Sequence, residues 1–201
     1  MSYFWAKFEK VGEHIFRYDT RIYLCSINKP TNNDVCIGAI VGKNPGSAKA
    51  NNENNPSLQE IKLDKDKLLP TVWNIIIKAH NMAGKDIQSC FYVQVLNLFS
   101  LCNPDLGEAI DIAARVSNHK FCTTENQEFK WVWYVWGGSK EELNQFKVRF
   151  EKLKAKTHFF LNKDTGTIYS HIPESTDFAK HTQGMKHDAV VPFIAGLIKN
   201  G

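Results

Sequence analysis

The chain has 201 residues, a net charge of +4 and 43% hydrophobic residues, a composition typical of a globular domain with one full core. No apolar run is long enough to span a bilayer, and the N-terminal segment MSYFWAKFEK lacks the apolar stretch of a secretory signal. We therefore expect one cytoplasmic domain over residues 1–201 without a membrane partner.

The cysteines indicate reduced thiols rather than a disulfide or metal framework. Their number is odd, no pair has CxxC spacing, and they are spread over the chain as Cys25, Cys36, Cys90, Cys102 and Cys122. We expect buried thiols, no metal and no other cofactor. The mildly basic charge permits an anionic partner but does not require one.

The first half of the chain predicts a hairpin, a strand and a helix. The segment HIFRYDTRIYLCSI at 14–27 predicts two antiparallel strands joined by a tight turn. The near-continuous apolar run at 34–41 is typical of a strand covered on both faces. Residues 68–84 predict a helix with Pro70 in its first turn and Gly84 at its end.

The second half alternates between strands and helices. Apolar runs and helical periodicity predict strands at 90–98, 129–136 and 157–161, and helices at 105–118, 139–155 and 188–200. Asp105 is the expected cap of the first of these helices, and Ser139 with Glu142 forms a capping box for the second. The second helix should bury one apolar face, formed by Leu143, Phe146, Phe150 and Leu153.

This alternation predicts an α/β fold, namely a three-layer α/β/α sandwich with a central four-stranded parallel sheet, plus an N-terminal antiparallel hairpin. Ligands of such sheets bind beyond the carboxyl ends of the strands. Unusual segments follow each predicted strand: GKNPG, then Asn97, then Gly137-Gly138, then SHIPES with His171. We therefore expect these segments to share one rim of the sheet.

The turn GKNPG permits two interpretations. A phosphate loop is excluded, because the glycine spacing is too short and Lys43 is followed by Asn44 rather than Ser or Thr. The turn is either purely structural, with Gly46 supplying an unusual backbone angle, or a wall of a ligand site. In the second interpretation Asn44 and backbone N–H groups near Gly46 contact the ligand.

Asn97, Trp136 and His171 permit the same two interpretations. Asn97 either ties down the following loop or reads the edge of a nucleobase, because an amide presents a donor beside an acceptor. Trp136 belongs either to the core or to a base-stacking surface. His171 either caps a turn or donates to an oxygen that gains negative charge. A third possibility, metal-assisted hydrolysis in the region of His171, His181 and His187, is disfavoured because no tight ligand spacing such as HxxxH occurs there.

In this order the motifs resemble those of the uracil-DNA glycosylase superfamily. GKNPG resembles its Gly-x-Asn-Pro-Gly motif, VLNLFSL its strand-end Asn segment, VWYVWGGSKEE its Trp-Gly turn and SHIPES its His-Pro-Ser-Pro motif. The chain more specifically resembles the domain of unknown function family 1643 through NPGSA, NPSL, NLF, WGG and SHIPES. The resemblance covers residues 17–198 and implies a glycosylase-like fold with a nucleobase site.

The resemblance also implies roles for individual residues. Asn44 and His171 would be the catalytic residues of N-glycosidic bond hydrolysis, acting on water and on the departing base. The substrate contacts would come from Gly42, Lys43, Pro45, Gly46, Ser47, Asn97, Trp136 and Gly137. Three departures weaken this assignment. The amide of Asn44 cannot accept a proton from water, Ile172 separates His171 from Pro173, and no aromatic residue directly follows Pro45 to wall off the base pocket.

Two functional hypotheses follow. In the first, the protein binds a nucleobase, a nucleotide or a nucleic acid at a glycosylase-like site and hydrolyses an N-glycosidic bond. In the second, it is a catalytically silent domain of the same fold that binds a nucleotide, a nucleic acid or a protein. The sequence does not indicate an oligomeric state.

Overall fold

The structure of the protein is a computed structural model that describes residues 1–46, 55, 57–63, 66–115, 122–138 and 140–201. Within these ranges, no helix is both long enough and apolar enough to cross a membrane. All five cysteines carry free thiols, and each is half-buried rather than fully buried in the core.

Eight strands form one sheet. Their bounds are β1 Ser2–Val11, β2 His14–Ile27, β3 Val35–Gly42, β4 Gln59–Glu60, β5 Phe91–Asn97, β6 Phe129–Tyr134, β7 Ala155–Leu161 and β8 Ile168–Tyr169. In space the strands are ordered β4-β1-β2-β5-β3-β6-β7-β8.

The sheet is mixed, so a sheet of four parallel strands is wrong as a description of the whole. The four strands predicted for the core, in the order β5-β3-β6-β7, are indeed parallel to one another. However, β2 adds antiparallel to β5, and β8 adds antiparallel to β7. β4 and β8 contain two residues each, which is too short for an alternating pattern to be recognised in the sequence.

The N-terminal hairpin exists, but its strands are not those predicted. β1 and β2 pair antiparallel on either side of Gly12, which has a φ of 61°. The segment at 14–27, predicted as two strands, is the single strand β2. Asp19 adopts a φ of 47° within it, and its carboxylate is held by Lys7 at 3.1 Å and Arg21 at 3.0 Å. These ion pairs hold an irregular position inside a continuous strand.

Four α-helices occur in the described ranges: α1 Leu68–Ala83, α2 Leu106–Arg115, α3 Asn144–Lys147 and α4 His187–Asn200. α1 ends at Gly84, which adopts a φ of 63° as the sequence predicts. Asp105 caps α2 as predicted, because its Oδ1 accepts the N–H of Glu108 at 2.9 Å. Residues 116–118 of that predicted helix lie outside the described ranges.

The predicted helix at 139–155 is mostly not α-helical. α3 has four residues and is flanked by 3-10 turns at Glu141–Leu143 and Val148–Lys152. The predicted apolar face is nevertheless buried, with Leu143, Phe146, Phe150 and Leu153 all in the core. Burial of this face therefore fixes the segment more strongly than regular helix geometry does. Ser139, half of the predicted capping box, lies outside the described residues.

Two apolar layers cover the two faces of the sheet, which gives the predicted α/β/α order. On one face, α1 and α4 pack over a cluster that includes Ile40 and Val93. On the other face, α2 and the segment around α3 pack over a cluster that includes Val41 and Val132. The parallel strands therefore have their carboxyl ends along a single rim between the two helical layers.

Candidate functional site

Asn97 and Gly42 end neighbouring parallel strands and lie together at this rim. They are register partners of β5 and β3. Oδ1 of Asn97 lies 2.8 Å from the point that a Cβ on residue 42 would occupy, and a side-chain carbon of Leu68 lies 3.3 Å from that point. Residue 42 must therefore be glycine for the Asn97 carboxamide to keep its place.

The carboxamide of Asn97 is a buried polar group with unused bonding capacity. The residue is 7% exposed, and its Oδ1 has no hydrogen-bond partner among the described residues. Its backbone is well anchored, because the guanidinium of Arg149 donates to the carbonyls of Asn97 and Leu98. An unpaired buried acceptor costs about 1–3 kcal/mol, which a donor on a ligand would recover.

Lys43 lies beside the turn that follows β6. Its Nζ is 3.4 Å from the point that a Cβ on Gly137 would occupy, and Gly137 has a φ of 83°. The N–H of Gly137 donates to the carbonyl of Ala179 at 2.8 Å. This bond brings a late segment of the chain across the strand ends, so His181 lies next to Gly137, with its Cβ 4.0 Å from the same point.

Lys43 is close enough at this rim to interact with three other basic side chains, and we name the four the rim cations: Lys43, Lys140, Lys147 and His181. Burial and repulsion by Lys140 lower the pKa of Lys43. Burial lowers the pKa of Lys147, and Lys43 lowers it further despite a nearby carboxylate. Burial and Lys43 also lower the pKa of His181. Their mutual repulsion favours binding of an anion.

His181 is a hydrogen-bond donor through its Nε2. Its Nδ1 accepts the backbone N–H of Gln183 at 3.2 Å, so Nδ1 carries no proton. Because its pKa is lowered, the ring is neutral at pH 7 and its single proton is on Nε2. A neutral imidazole in this tautomer can donate to an oxygen that gains negative charge.

Arg17 and Asp66 form a buried ion pair near the start of α1. Arg17 is 1% exposed, and its Nη1 lies 3.5 Å from Oδ2 of Asp66. Asp66 also caps α1, because its Oδ1 accepts the N–H groups of Leu68 and Leu69. Nε and Nη1 of Arg17 have no hydrogen-bond partner within the described part of the chain. Arg17 is therefore a second buried group here with unused hydrogen-bonding capacity.

The turn after β3 is in part structural. Nδ2 of Asn44 donates to the carbonyl of Asn103 at 2.9 Å, which ties the turn to the loop after β5. Pro45 is buried, and Gly46 adopts a φ of 64°, as the turn interpretation predicts. Ser47 lies outside the described residues.

Trp136 and His171 have contacts that fit their structural interpretations. Trp136 is 1% exposed and packs edge-on against Tyr134, with ring centroids 4.9 Å apart. A ring buried to this degree offers no open face to a base. His171 is exposed, its Nδ1 lies 2.8 Å from the carbonyl oxygen of Ile172, and its ring packs against Phe160 with centroids 5.4 Å apart.

Sequence reasoning did not assign Arg17, Asp66 and Lys147 to the site individually, and it considered His181 only as a metal ligand. Arg17 lies in a strand next to apolar residues, and a charge in such a segment is a weak signal of a buried ion pair. His181 is 44 residues from Gly137 in the numbering, and no local pattern joins them. Only the Gly137–Ala179 contact reveals the arrangement.

Comparisons do not identify the site. In the described ranges, no group of three or more His, Cys, Asp or Glu residues could hold a metal ion. Comparison of the chain with family models, with curated proteins and with solved structures gave no match. The function must therefore be inferred from the geometry of the rim.

Replacing Lys43 by methionine should stabilise the protein by about 1 kcal/mol at pH 7, because it removes a half-buried charge that is repelled by Lys140. The pKa of Lys43 is lower in the folded protein than in the unfolded chain. At pH values between these two pKa values, the unfolded chain therefore carries more protons than the folded protein. Wild-type stability therefore rises with pH there, and the advantage of the variant should shrink. Urea unfolding at pH 7 and near pH 10 measures both effects.

The matched control is Lys29→Met, which changes an exposed lysine outside the rim. It should leave the free energy of unfolding nearly unchanged at both pH values. A Lys43→Met protein less stable than the wild type at pH 7 would show that Lys43 is stabilised by contacts rather than strained by burial.

Proposed function

We propose that this rim binds a nucleotide, either free or as a unit of a nucleic acid, with Asn97 contacting the base and Lys43 contacting a phosphate. The observation that carries the proposal is the Asn97 carboxamide, buried at the strand end with its Oδ1 unpaired. A carboxamide matches an adjacent donor and acceptor on the edge of a base, so its open acceptor suits a ring N–H.

The rim cations support the anionic half of the proposed ligand. Lys43 and Lys147 are both partly withdrawn from water, and Lys43 contributes to the lowered pKa of both Lys147 and His181. Bringing a phosphate to such a group replaces repulsion with charge-assisted hydrogen bonds. A nucleotide combines both features in one molecule, whereas a simple nucleobase lacks the charge and a simple phosphate lacks the edge that Asn97 would read.

The reaction proposed for this ligand is hydrolysis of its N-glycosidic bond. In it, the bond between C1′ and the base nitrogen breaks, and its electron pair leaves with the base. Water forms the new C1′–O bond and gives up a proton to solvent. Asn44 would orient the water, and His181, rather than the exposed His171, would donate from Nε2 to the oxygen of the base on which charge develops.

Binding without cleavage is the second candidate function, and one observation favours it. Asn44 is an amide and is already bonded to the carbonyl of Asn103, while the Asp66 carboxylate is engaged by Arg17 and by the start of α1. None of these groups is a free base that could take a proton from water. The geometry therefore supports binding more strongly than it supports catalysis.

Calorimetric titration with deoxyuridine monophosphate, deoxyuridine and deoxyribose 5-phosphate tests the binding proposal. Asn97→Ala should weaken the nucleotide and the nucleoside by about 10- to 100-fold, because one base contact is lost, and should leave deoxyribose 5-phosphate unaffected. Lys43→Met should weaken both phosphates and leave the nucleoside unaffected. The matched control is Gln94→Met, which changes a buried carboxamide on the same strand.

The four common nucleoside monophosphates are titrated in the same way, because a carboxamide can pair with the edge of more than one base. Failure of every nucleotide to bind the wild-type protein at millimolar concentration would overturn the proposal. Equal losses in the Asn97→Ala and Gln94→Met proteins would assign the effect to general disruption of β5 rather than to base recognition.

Release of free base separates the two candidate functions. Single- and double-stranded oligonucleotides that carry deoxyuridine or other modified bases are incubated with the protein, and free base is quantified by chromatography. Release that Asn97→Ala abolishes would support the glycosidic reaction. Binding of oligonucleotides without release of free base from any of them would support the second candidate function, binding without cleavage.

A further inference from the structure

A second cavity lies at the opposite edge of the sheet, where the parallel strands begin. It has a volume of about 270 Å³ and lies between the first residues of the strands and the C-terminal ends of α1 and α4. Its walls include Phe91 from β5, Trp131 from β6 and Leu197 from α4. These walls are apolar and aromatic, as is usual for sites that hold small organic molecules.

His80, on the last turn of α1, contributes a polar group to this cavity. The residue is 3% exposed, and neither ring nitrogen has a hydrogen-bond partner among the described residues. Burial lowers the pKa of His80, although the nearby backbone of Lys85 offsets part of the effect. The ring is therefore neutral at pH 7 and offers one donor and one acceptor. Leaving both unused in a protein interior is unfavourable.

The charges around the cavity favour a neutral ligand. Lys85, Asp86 and Lys130 line the cavity, so both signs are present. The C-terminal ends of α1 and α4 add partial negative charge from their carbonyl groups, which opposes the excess of one lysine. Neither an anion nor a cation is therefore strongly favoured, and the volume suits a molecule of one or two rings.

We propose that this cavity binds a small neutral heteroaromatic molecule, with its rings against Phe91 and Trp131 and its ring nitrogens hydrogen-bonded to His80. The site is separate from the rim that carries Asn97, because it lies at the opposite ends of the same strands. The ligand would give a hydrogen-bond partner to buried ring nitrogens that have none among the described residues.

The test compares benzimidazole with indene, a hydrocarbon of the same shape without ring nitrogens. Nuclear magnetic resonance of labelled wild-type protein should show saturable shifts of the His80 ring nitrogens and of the Trp131 indole on addition of benzimidazole. Benzimidazole should bind at least about tenfold more tightly than indene, because it alone can bond to the imidazole.

The variant His80→Leu should reduce that preference to less than about threefold, since leucine keeps the apolar wall but removes both nitrogens. The control His14→Leu, which changes a histidine in the β1–β2 hairpin, should retain the full preference. Equal affinity of wild-type protein for benzimidazole and indene would overturn the proposal. The absence of resonance shifts at His80 and Trp131 of the wild-type protein at millimolar benzimidazole would also overturn the proposal. This second measurement does not require the His80→Leu protein to fold.

Discussion

Replacing Gly38 by alanine should lower the free energy of unfolding by about 3 kcal/mol, because the new methyl group has no space. A Cβ on residue 38 would lie 2.1, 2.3 and 2.4 Å from three ring atoms of Trp131, which rests on the backbone of β3. Trp131 is itself buried and packs against Phe159, so displacing the indole toward the cavity would break this core contact. Chemical unfolding of the two proteins measures the difference.

Gly196→Ala is the matched control for this change. Gly196 lies in α4, and a Cβ there would have nothing within 4 Å. Alanine favours helix over glycine, so this variant should be more stable than the wild type by about 0.5–1 kcal/mol. A Gly38→Ala protein within experimental error of the wild type would show that Trp131 does not occupy the position described. The variant should also weaken benzimidazole binding, since Trp131 forms a wall of that cavity.

Arg149→Ala should lower the free energy of unfolding by about 2–4 kcal/mol and also weaken nucleotide binding. The guanidinium holds the carbonyls of Asn97 and Leu98 and pairs with Glu125 at 3.0 Å. Without it, two carbonyls at the end of β5 and a mostly buried carboxylate lose their partner. Asn97 would then be carried on a backbone that can move, which reduces the precision of the proposed base contact.

The pH dependence of this variant provides an independent check. Burial raises the pKa of Glu125, and Arg149 opposes that rise, so its removal should raise the folded-state pKa further. Between pH 4.5, the ordinary value, and the raised folded-state pKa, the folded state binds more protons than the unfolded state. The free energy of unfolding of the variant therefore falls as the pH rises through this interval. The deficit should therefore be larger at pH 7 than near pH 4, and adding Glu125→Gln should recover part of it.

Arg115→Ala, at the exposed end of α2, is the control and should change stability by less than about 0.5 kcal/mol. A deficit of Arg149→Ala that does not vary with pH would contradict the role assigned to Glu125. Loss of stability without loss of nucleotide affinity would show that Asn97 does not depend on Arg149 for its position.

The mixed sheet gives a physical reason for the location of the proposed site. β2 extends the parallel core on the side of β5, and its residue Arg17 donates its backbone N–H to the carbonyl of Ser100. The added strand therefore attaches the loop that follows Asn97 to the backbone of β2.

The sequence by itself determined the alternation of strands and helices. Apolar runs at 34–41 and 90–98 predicted β3 and β5 closely, because strands buried on both faces have few polar residues. Gly84 and Asp105 predicted helix boundaries, because cap geometry depends on local residues alone. The position of Asn97 at the end of a strand, and hence at the rim, also followed from these local patterns.

The tertiary structure alone decided which side chains share the rim. His181 is at Gly137 because a backbone bond to Ala179 carries a loop across the strand ends, and such pairings have no local signature. β2 is one strand, and Lys7 from the neighbouring strand β1 contacts the carboxylate of Asp19 at its irregular position. Whether a polar side chain such as His171 is exposed, or an aromatic one such as Trp136 is buried, depends on the neighbours that packing brings to it.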